Sequence, residues 1–375
     1  MIIISPIIRL VCKILSFILY LCTLVAAFGG YCNPEYFALP SVFTLMLPWL
    51  GMATFFVTLI WLFTRNWITG IAGAFTLVAS WGTLGDAAPL SFPKSVPDGA
   101  QTFTLLTFNC LHLNDLKNPT DLSDNRAVRF LLHSGADIIC LQELINIEDP
   151  VEVANLPESL RDSLYAAYPY RAGDRKMDLK VYSKYPLEMI PFATNGRRVD
   201  AYQRKFARFV LKIRGRKLNL INMHLASYNL TSDEREVMTE MTSVKGIKES
   251  MSEFKGSIFG KLKQSFRNRS DNIDDIIELT RGSAAPVIVC GDFNDVAGSW
   301  SYRKMREAGF HDAFSETVFG PRHTFNQHLM LFHIDQIFYR GPLEALSVKR
   351  LSLNTSDHYP LIAEFAFLPD DLMDY

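Results

Sequence analysis

Charge is almost missing from the first quarter of this 375-residue chain. Residues 1–95 hold four basic side chains (Arg9, Lys13, Arg65, Lys94) and two acidic ones (Glu35, Asp86). Removing them from the totals of 38 and 39 leaves 34 basic and 37 acidic residues for 96–375, a net of −3. Without a basic excess the chain is no nucleic-acid coat. Cysteine pattern is missing too. Six cysteines form no C-x-x-C pair and no Cys/His cluster, which argues against a zinc site and a disulfide framework. Disorder is excluded by 49% hydrophobic content, and no internal repeat or low-complexity tract is present.

What the first quarter has instead is apolar length. Residues 6–29 are apolar apart from Arg9 and Lys13, and residues 37–63 and 67–84 carry no charge. About 20 apolar residues cross the hydrocarbon as a helix, so a region 1–85 with three transmembrane helices is expected. Arg9 and Lys13 mark the start of the first span, and Arg65 the link between the second and third. The positive-inside bias puts those ends in the cytoplasm and the rest of the chain outside it, a multi-pass protein in the lipid bilayer. Residues 86–100, with Pro89, Pro93 and Pro97, read as a linker.

From Gln101 the period changes. Phe103–Phe108, Ala136–Leu141, Lys217–Met223 and Pro286–Cys290 are short apolar or alternating runs that predict strands. Residues 123–134 have helical spacing and stop at Gly135. Strands alternating with helices predict a layered α/β fold. The residues that end the strands carry the chemistry: Asn109, Gln142-Glu143, His224, Gly291-Asp-Phe-Asn294, then His333-Ile-Asp335 and Ser356-Asp-His358. Carboxylates and amides at strand ends are hard-oxygen ligands suited to magnesium or manganese. With two histidines they supply what hydrolysis of a phosphate ester needs: a cation, a base and a donor to the leaving oxygen.

That order of motifs resembles the endonuclease/exonuclease/phosphatase superfamily, over 101–369. The resemblance implies a four-layer α/β sandwich with two central mixed sheets, and a catalytic site using Mg2+ or Mn2+. It implies metal-site roles for Asn109, Glu143 and Asp357. It gives Asp292 the attacking water and Asn294 the holding of water and phosphate. His224 contacts the scissile phosphate, and His358 acts as base or phosphate donor with Asp335 fixing its ring. Whether Asp292 or His358 is the base stays open.

Substrate choice within such a family rests on weaker signals. Residues 197–217 hold nine Lys or Arg, Arg208 among them as a candidate phosphate contact. Their alternation with apolar residues equally fits a hairpin with a solvated cationic face. The long segment 232–281 predicts a helical insertion, with Phe254, Ile258, Phe259, Leu262 and Phe266 at helical spacing and Lys and Arg between them. Packing on the domain is the expected use of that apolar face, and lying on an anionic membrane the alternative. The expected substrate is a phosphodiester or phosphomonoester: a lipid head group, a nucleotide or nucleic acid. A tethered endo/exonuclease and an inactive phospho-ligand-binding scaffold are the competing functions.

Overall fold

The computed structural model describes residues 6–113, 124–144, 156–174, 178–191, 205–227, 259–327 and 330–368. The apolar leader folds into five helices: α1 (Pro6–Phe28), α2 (Leu39–Leu45), α3 (Leu47–Phe63), α4 (Trp67–Ala79) and α5 (Trp81–Ala87). Among the described residues, only the first apolar stretch is one continuous helix long and apolar enough to cross a membrane. The expectation of three transmembrane helices is corrected here: one continuous helix and two bent pairs stand in their place. α2 and α3 bend by 68° against each other, and α4 and α5 by 62°. Pro48 explains the first break: proline lacks an N–H and disfavours helical backbone at the residue before it, so the helix restarts there. Gly82 and Gly85 weaken α5.

The interior of this bundle is small and hydroxylated. Trp61 Nε1 donates to Ser16 Oγ at 2.8 Å, and the Thr23 and Thr54 hydroxyls meet at 2.7 Å. Gly73 lies against Thr58 and Tyr20. Large apolar side chains such as Ile14, Phe17, Phe55, Phe56, Ile60 and Phe75 point outward instead.

Fourteen strands follow among the described residues. One six-stranded sheet has the order β13-β14-β1-β2-β4-β3. Its strands are β1 (Thr102–Asn109), β2 (Ile138–Gln142), β3 (Tyr170–Asp174), β4 (Leu179–Ser183), β13 (Leu343–Arg350) and β14 (Leu361–Phe367). The second has the order β5-β6-β7-β8-β12-β9. It contains β5 (Leu187–Ile190), β6 (Phe206–Ile213), β7 (Arg216–His224), β8 (Val287–Asp292), β9 (His311–Asp312) and β12 (Asp335–Arg340). Both sheets are mixed, since β1–β2 and β7–β8 are parallel and the other pairs antiparallel. A separate two-stranded hairpin joins β10 (Phe325–Gln327) and β11 (Met330–Phe332).

The sheets face each other across a core that includes Leu105, Ile138, Cys140, Phe209, Leu220, Ile288, Cys290 and Phe365. Helices α6 (Arg126–His133) and α7 (Glu158–Ala167) cover the outer face of the first sheet. Helices α8 (Phe259–Thr280) and α9 (Trp300–Glu307) cover the second, and α10 (Ala313–Thr317) follows β9. This is the four-layer sandwich expected. The six cysteines are free, with Cys140 and Cys290 buried as small hydrophobes. Of the insertion, residues 232–258 lie outside the described set, as do Arg197, Arg198 and Arg204. Helix α8 buries Leu262, Phe266, Ile273 and Ile276, so its apolar face is used in packing.

One buried amide ties the sheets together. Asn222 Nδ2 donates to the Leu141 and Lys180 carbonyls at 3.0 and 3.1 Å, while its Oδ1 accepts from Gln142 Nε2 at 2.6 Å. Replacing it removes three hydrogen bonds that join the sheets. Asn222→Ala is therefore expected to lower the thermal midpoint of the full chain in detergent by on the order of 5–10 °C, read by circular dichroism.

Candidate active site

Strand register brings the site together. In the parallel pair β7/β8 His224 stands opposite Asp292, and in the antiparallel pair β8/β12 Asp335 stands opposite Asp292. Asn109 ends β1 across the seam, paired with Gln142, and Glu143 follows. Gly291 takes φ +135° beside Asp292, and a Cβ there would lie 2.0 Å from the Met223 carbonyl oxygen. Only glycine lets β8 come this close to β7. Glu143 itself has φ +56°, and Leu111, His112 and Leu113 are all left-handed; the His112 N–H holds the Glu143 carbonyl at 2.8 Å. Left-handed backbone at four non-glycine residues is strained, and such strain gathers where side chains are aimed for use.

Asp292 is the centre. It is 1% exposed. Its Oδ1 accepts the Asn294 N–H at 2.8 Å, and its Oδ2 accepts from Asn109 Nδ2 at 3.1 Å. The same Nδ2 donates to Glu143 Oε1 at 3.0 Å. His224 Nε2 comes within 3.8 Å of Asp292 Oδ2 and 3.7 Å of Glu143 Oε1, and His358 Nε2 within 3.7 Å of Asp292 Oδ2. Those separations exceed a hydrogen bond. His358 Nδ1 pairs with Asp335 Oδ2 at 2.9 Å.

Burial shapes the acid–base character of these groups. It pushes the Asp292 carboxyl up, a rise that the imidazoles reduce and Asp335 reinforces. Burial opposes a charge on His358, yet the Asp335 and Asp292 carboxylates outweigh it and push the ring up to about 10. His224 shows the same contest on a smaller scale. Burial lowers it, but the hydrogen bond to Asp178 and the fields of Asp292 and Glu143 carry it above its ordinary value.

Six of the expected residues thus converge: Asn109, Glu143, His224, Asp292, Asp335 and His358. Asn294 sits beside them, but its Nδ2 is committed to the Leu225 carbonyl at 3.0 Å. Asp357 is tied in through Ser356, whose Oγ lies 2.9 Å from the Asn109 carbonyl and 3.4 Å from Asp357 Oδ1. Arg208 stands apart. It alternates with the inward Ala207 and Phe209, and its guanidinium reaches Asn219 Oδ1 at 3.4 Å on the helix-covered face. His333 is structural, its Nδ1 bonded to the Arg322 carbonyl and its ring against Phe314, with burial lowering its pKa to about 4.

Asp178 is the residue the sequence reading missed. Its Oδ2 lies 3.2 Å from His224 Nδ1, in the turn that enters β4 at φ +49°. No local pattern marks it; the only available signal was that a phosphate-contacting histidine needs an acceptor behind its ring.

Among the described residues Asp292, Asp335 and His358 are close enough to share an ion. A ring flanked by two carboxylates and hydrogen-bonded to one favours its protonated form, which cannot ligate. A second acidic pair is Glu143, whose side chain is a quarter exposed, with the buried Asp292. Asn109 Nδ2, a partial positive charge, stands between their oxygens. Glu143, Asp178, Asp292 and Asp335 remain two charges negative even if both imidazoles are protonated, and a divalent cation fits that surplus.

Residues 9–86 match a domain of unknown function. The chain is 25% identical over 295 residues to the uncharacterized protein YbhP of Escherichia coli K12, covering 72% of this chain and 99% of YbhP. Among solved structures, a humanized D. rerio TDP2 is 17% identical, covering 70% of this chain and 98% of that one with a TM-score of 0.45. An endonuclease/exonuclease/phosphatase from Beutenbergia cavernae is 13% identical over 72% of each chain, TM-score 0.47. Residues 106–358, from within β1 to the buried histidine, match the model of one family over two thirds of the sequence, and the chain belongs to the Endonuclease/Exonuclease/phosphatase family.

Proposed function

We propose that this chain is a membrane-tethered, divalent-metal-dependent phosphoesterase that hydrolyses a phosphodiester or phosphomonoester outside the cytoplasm. The observation that carries the reading is the approach of two imidazole Nε2 atoms, from distant segments, to the same oxygen of Asp292. Glu143 and Asn109 would hold the cation, with Asp357 beside them. A bound magnesium or manganese ion supplies neutralisation of the phosphate oxygens. Asp292 orients and deprotonates the attacking water through Oδ2, the oxygen that Asn109 and both imidazoles face. Burial makes that carboxylate a better base than a surface aspartate. His358, its ring held between Asp335 and Asp292, donates to the phosphate rather than accepts. His224, fixed by Asp178 at the more open side, donates to the leaving oxygen.

The tether reading is supported by the inside-out bundle. Small and hydroxylated residues inside with large apolar ones outside is the packing of helices surrounded by lipid. Arg9, Lys13 and Arg65 lie at the end remote from the catalytic domain, which contacts the bundle at Gly30, Trp49 and Thr83. A three-crossing bundle, with each bent pair crossing once, then has its cationic end in the cytoplasm.

Five outcomes test these readings. The full chain in detergent should hydrolyse bis(p-nitrophenyl) phosphate or p-nitrophenyl phosphate with magnesium and lose that activity in EDTA; activity in excess chelator refutes the metal. Glu143→Gln should shift the magnesium titration to at least about tenfold higher concentration, because a ligand charge is removed. His358→Ala and His224→Ala should each cut kcat by at least about a hundredfold. Asp178→Asn should reproduce part of the His224 loss with the magnesium titration unchanged. Finally, a reporter fused after Tyr375 should be active only outside the cytoplasm; a cytoplasmic signal would overturn the topology.

A further inference from the structure

The hairpin β10–β11 belongs to neither six-stranded sheet. Two strands of three residues are too little to hold themselves in water. What holds this hairpin is packing on two sides. On one side Phe325 sets its ring edge-on to His358, centroids 5.1 Å apart at 62°, and the two residues form a β-bridge. On the other, Phe332, the register partner of Phe325, meets Trp49 of α3 at 5.6 Å and 86°. Phe332 also joins a small apolar cluster with Val42 and Leu45 of α2, Phe266 of α8 and Val296.

Backbone bonds extend the hairpin into the catalytic segments. The Thr324 N–H donates to the Phe332 carbonyl at 2.8 Å, and the Thr324 carbonyl accepts from Tyr359 N–H at 2.7 Å. The Thr324 hydroxyl accepts from the Asp335 N–H at 3.1 Å, and the Asp357 carbonyl accepts from the Asn326 N–H at 3.1 Å. Both members of the His358–Asp335 pair therefore hang on this hairpin.

The bundle and the domain also interlock at the backbone. A Cβ on Gly30 would lie 1.9 Å from the Gly298 carbonyl oxygen, and one on Gly298 would lie 2.0 Å from Thr83 Cγ2. Arg303 stacks on Tyr31 at 3.5 Å and donates to Thr83 Oγ1 at 3.1 Å. Two elements of the domain are thus fitted to the helices, the loop after Asn294 and the hairpin beside His358.

We propose that the membrane helices are a positioning part of the active site, with Trp49 bearing on Phe332 and so, through the hairpin, keeping the His358–Asp335 pair in place. Trp49 touches no reacting group. Its effect falls on turnover, because a misplaced donor weakens the transition state while substrate still binds. The proposal builds on the catalytic roles given above.

The test uses the full chain in detergent micelles with two readouts. In the first, bis(p-nitrophenyl) phosphate with saturating magnesium is the probe. Trp49→Ala should lower kcat by about tenfold with KM within about twofold, and Trp49→Phe, which keeps an aromatic ring on Phe332, should retain most of the turnover. Gly30→Val, which separates the bundle from the loop at Gly298, should behave like Trp49→Ala. In the second, backbone amide exchange at Thr324, Asn326 and Tyr359 should accelerate at least about tenfold in Trp49→Ala and not in Trp49→Phe. The exchange readout is independent of activity, so an inactive unaltered chain refutes the phosphoesterase reading while the exchange still judges the coupling. Unchanged exchange in Trp49→Ala, unchanged turnover of that variant, or equal losses in the alanine and phenylalanine variants would each overturn the proposal.

Discussion

A carboxylate almost sealed from water, Asp292, is the constraint that organises the α/β sandwich. Leaving such a group unpaired in a protein interior costs several kcal/mol. The fold meets that cost with two donors, the amide of Asn109 and the backbone N–H of Asn294, and with the imidazoles of His224 and His358 close by. Each depends on register. His224 and Asp335 both stand opposite Asp292. A slip of one residue in β7 or β12 would turn its side chain to the helix-covered face and leave the charge unsupported. The inter-sheet amide of Asn222 and the glycine at 291 pin the same strands, so the polar seam and the site are one structure.

That dependence explains what the sequence made legible. β1, β2, β7 and β8 are apolar runs that stop abruptly at a polar residue, and stops of this kind expose Asn109, Glu143, His224 and Asp292 without any knowledge of the fold. Asp178 was hidden, because it precedes a strand and its partner lies 46 residues further on. Arg208 misled for a related reason. Alternation says that it shares a face with Phe206, but only the pairing of Phe206 with Met223 says that this face lies under helices. His333 falls inside a catalytic motif, yet its ring fills space beside Phe314. Spacing locates a residue along a strand; the face and the neighbour come from tertiary packing.

The leader shows the same limit in another form. A hydropathy window sums apolar character and is blind to direction, so three stretches read as three spans. Pro48 was visible and marks the break between α2 and α3. What was not visible is that the bend frees α2 to lie against α8 and the loop at Val296. The buried positions Ser16, Thr23, Thr54 and Thr58 are polar enough to look like breaks in a span, and they are its packing surface.

The joining segment after α5 follows from that contact. Residues 88–101 have the composition of a loose linker, yet the Ser91 N–H donates to the Val318 carbonyl, Lys94 N–H to that of Leu346, and the Lys94 ammonium lies between Glu316 and Glu344. A chain bound along the domain in this way cannot serve as a flexible arm. With Gly30 against Gly298 leaving no room for even a methyl group, the catalytic domain has one seat on the bundle. Val296 is four residues beyond Asp292, at most about 14 Å of extended chain, and it touches the helices through the α2 cluster. The depth of the site relative to the helix ends is therefore set by packing rather than by tether length. Any ligand of Asp292 would meet it at a fixed height above the bundle.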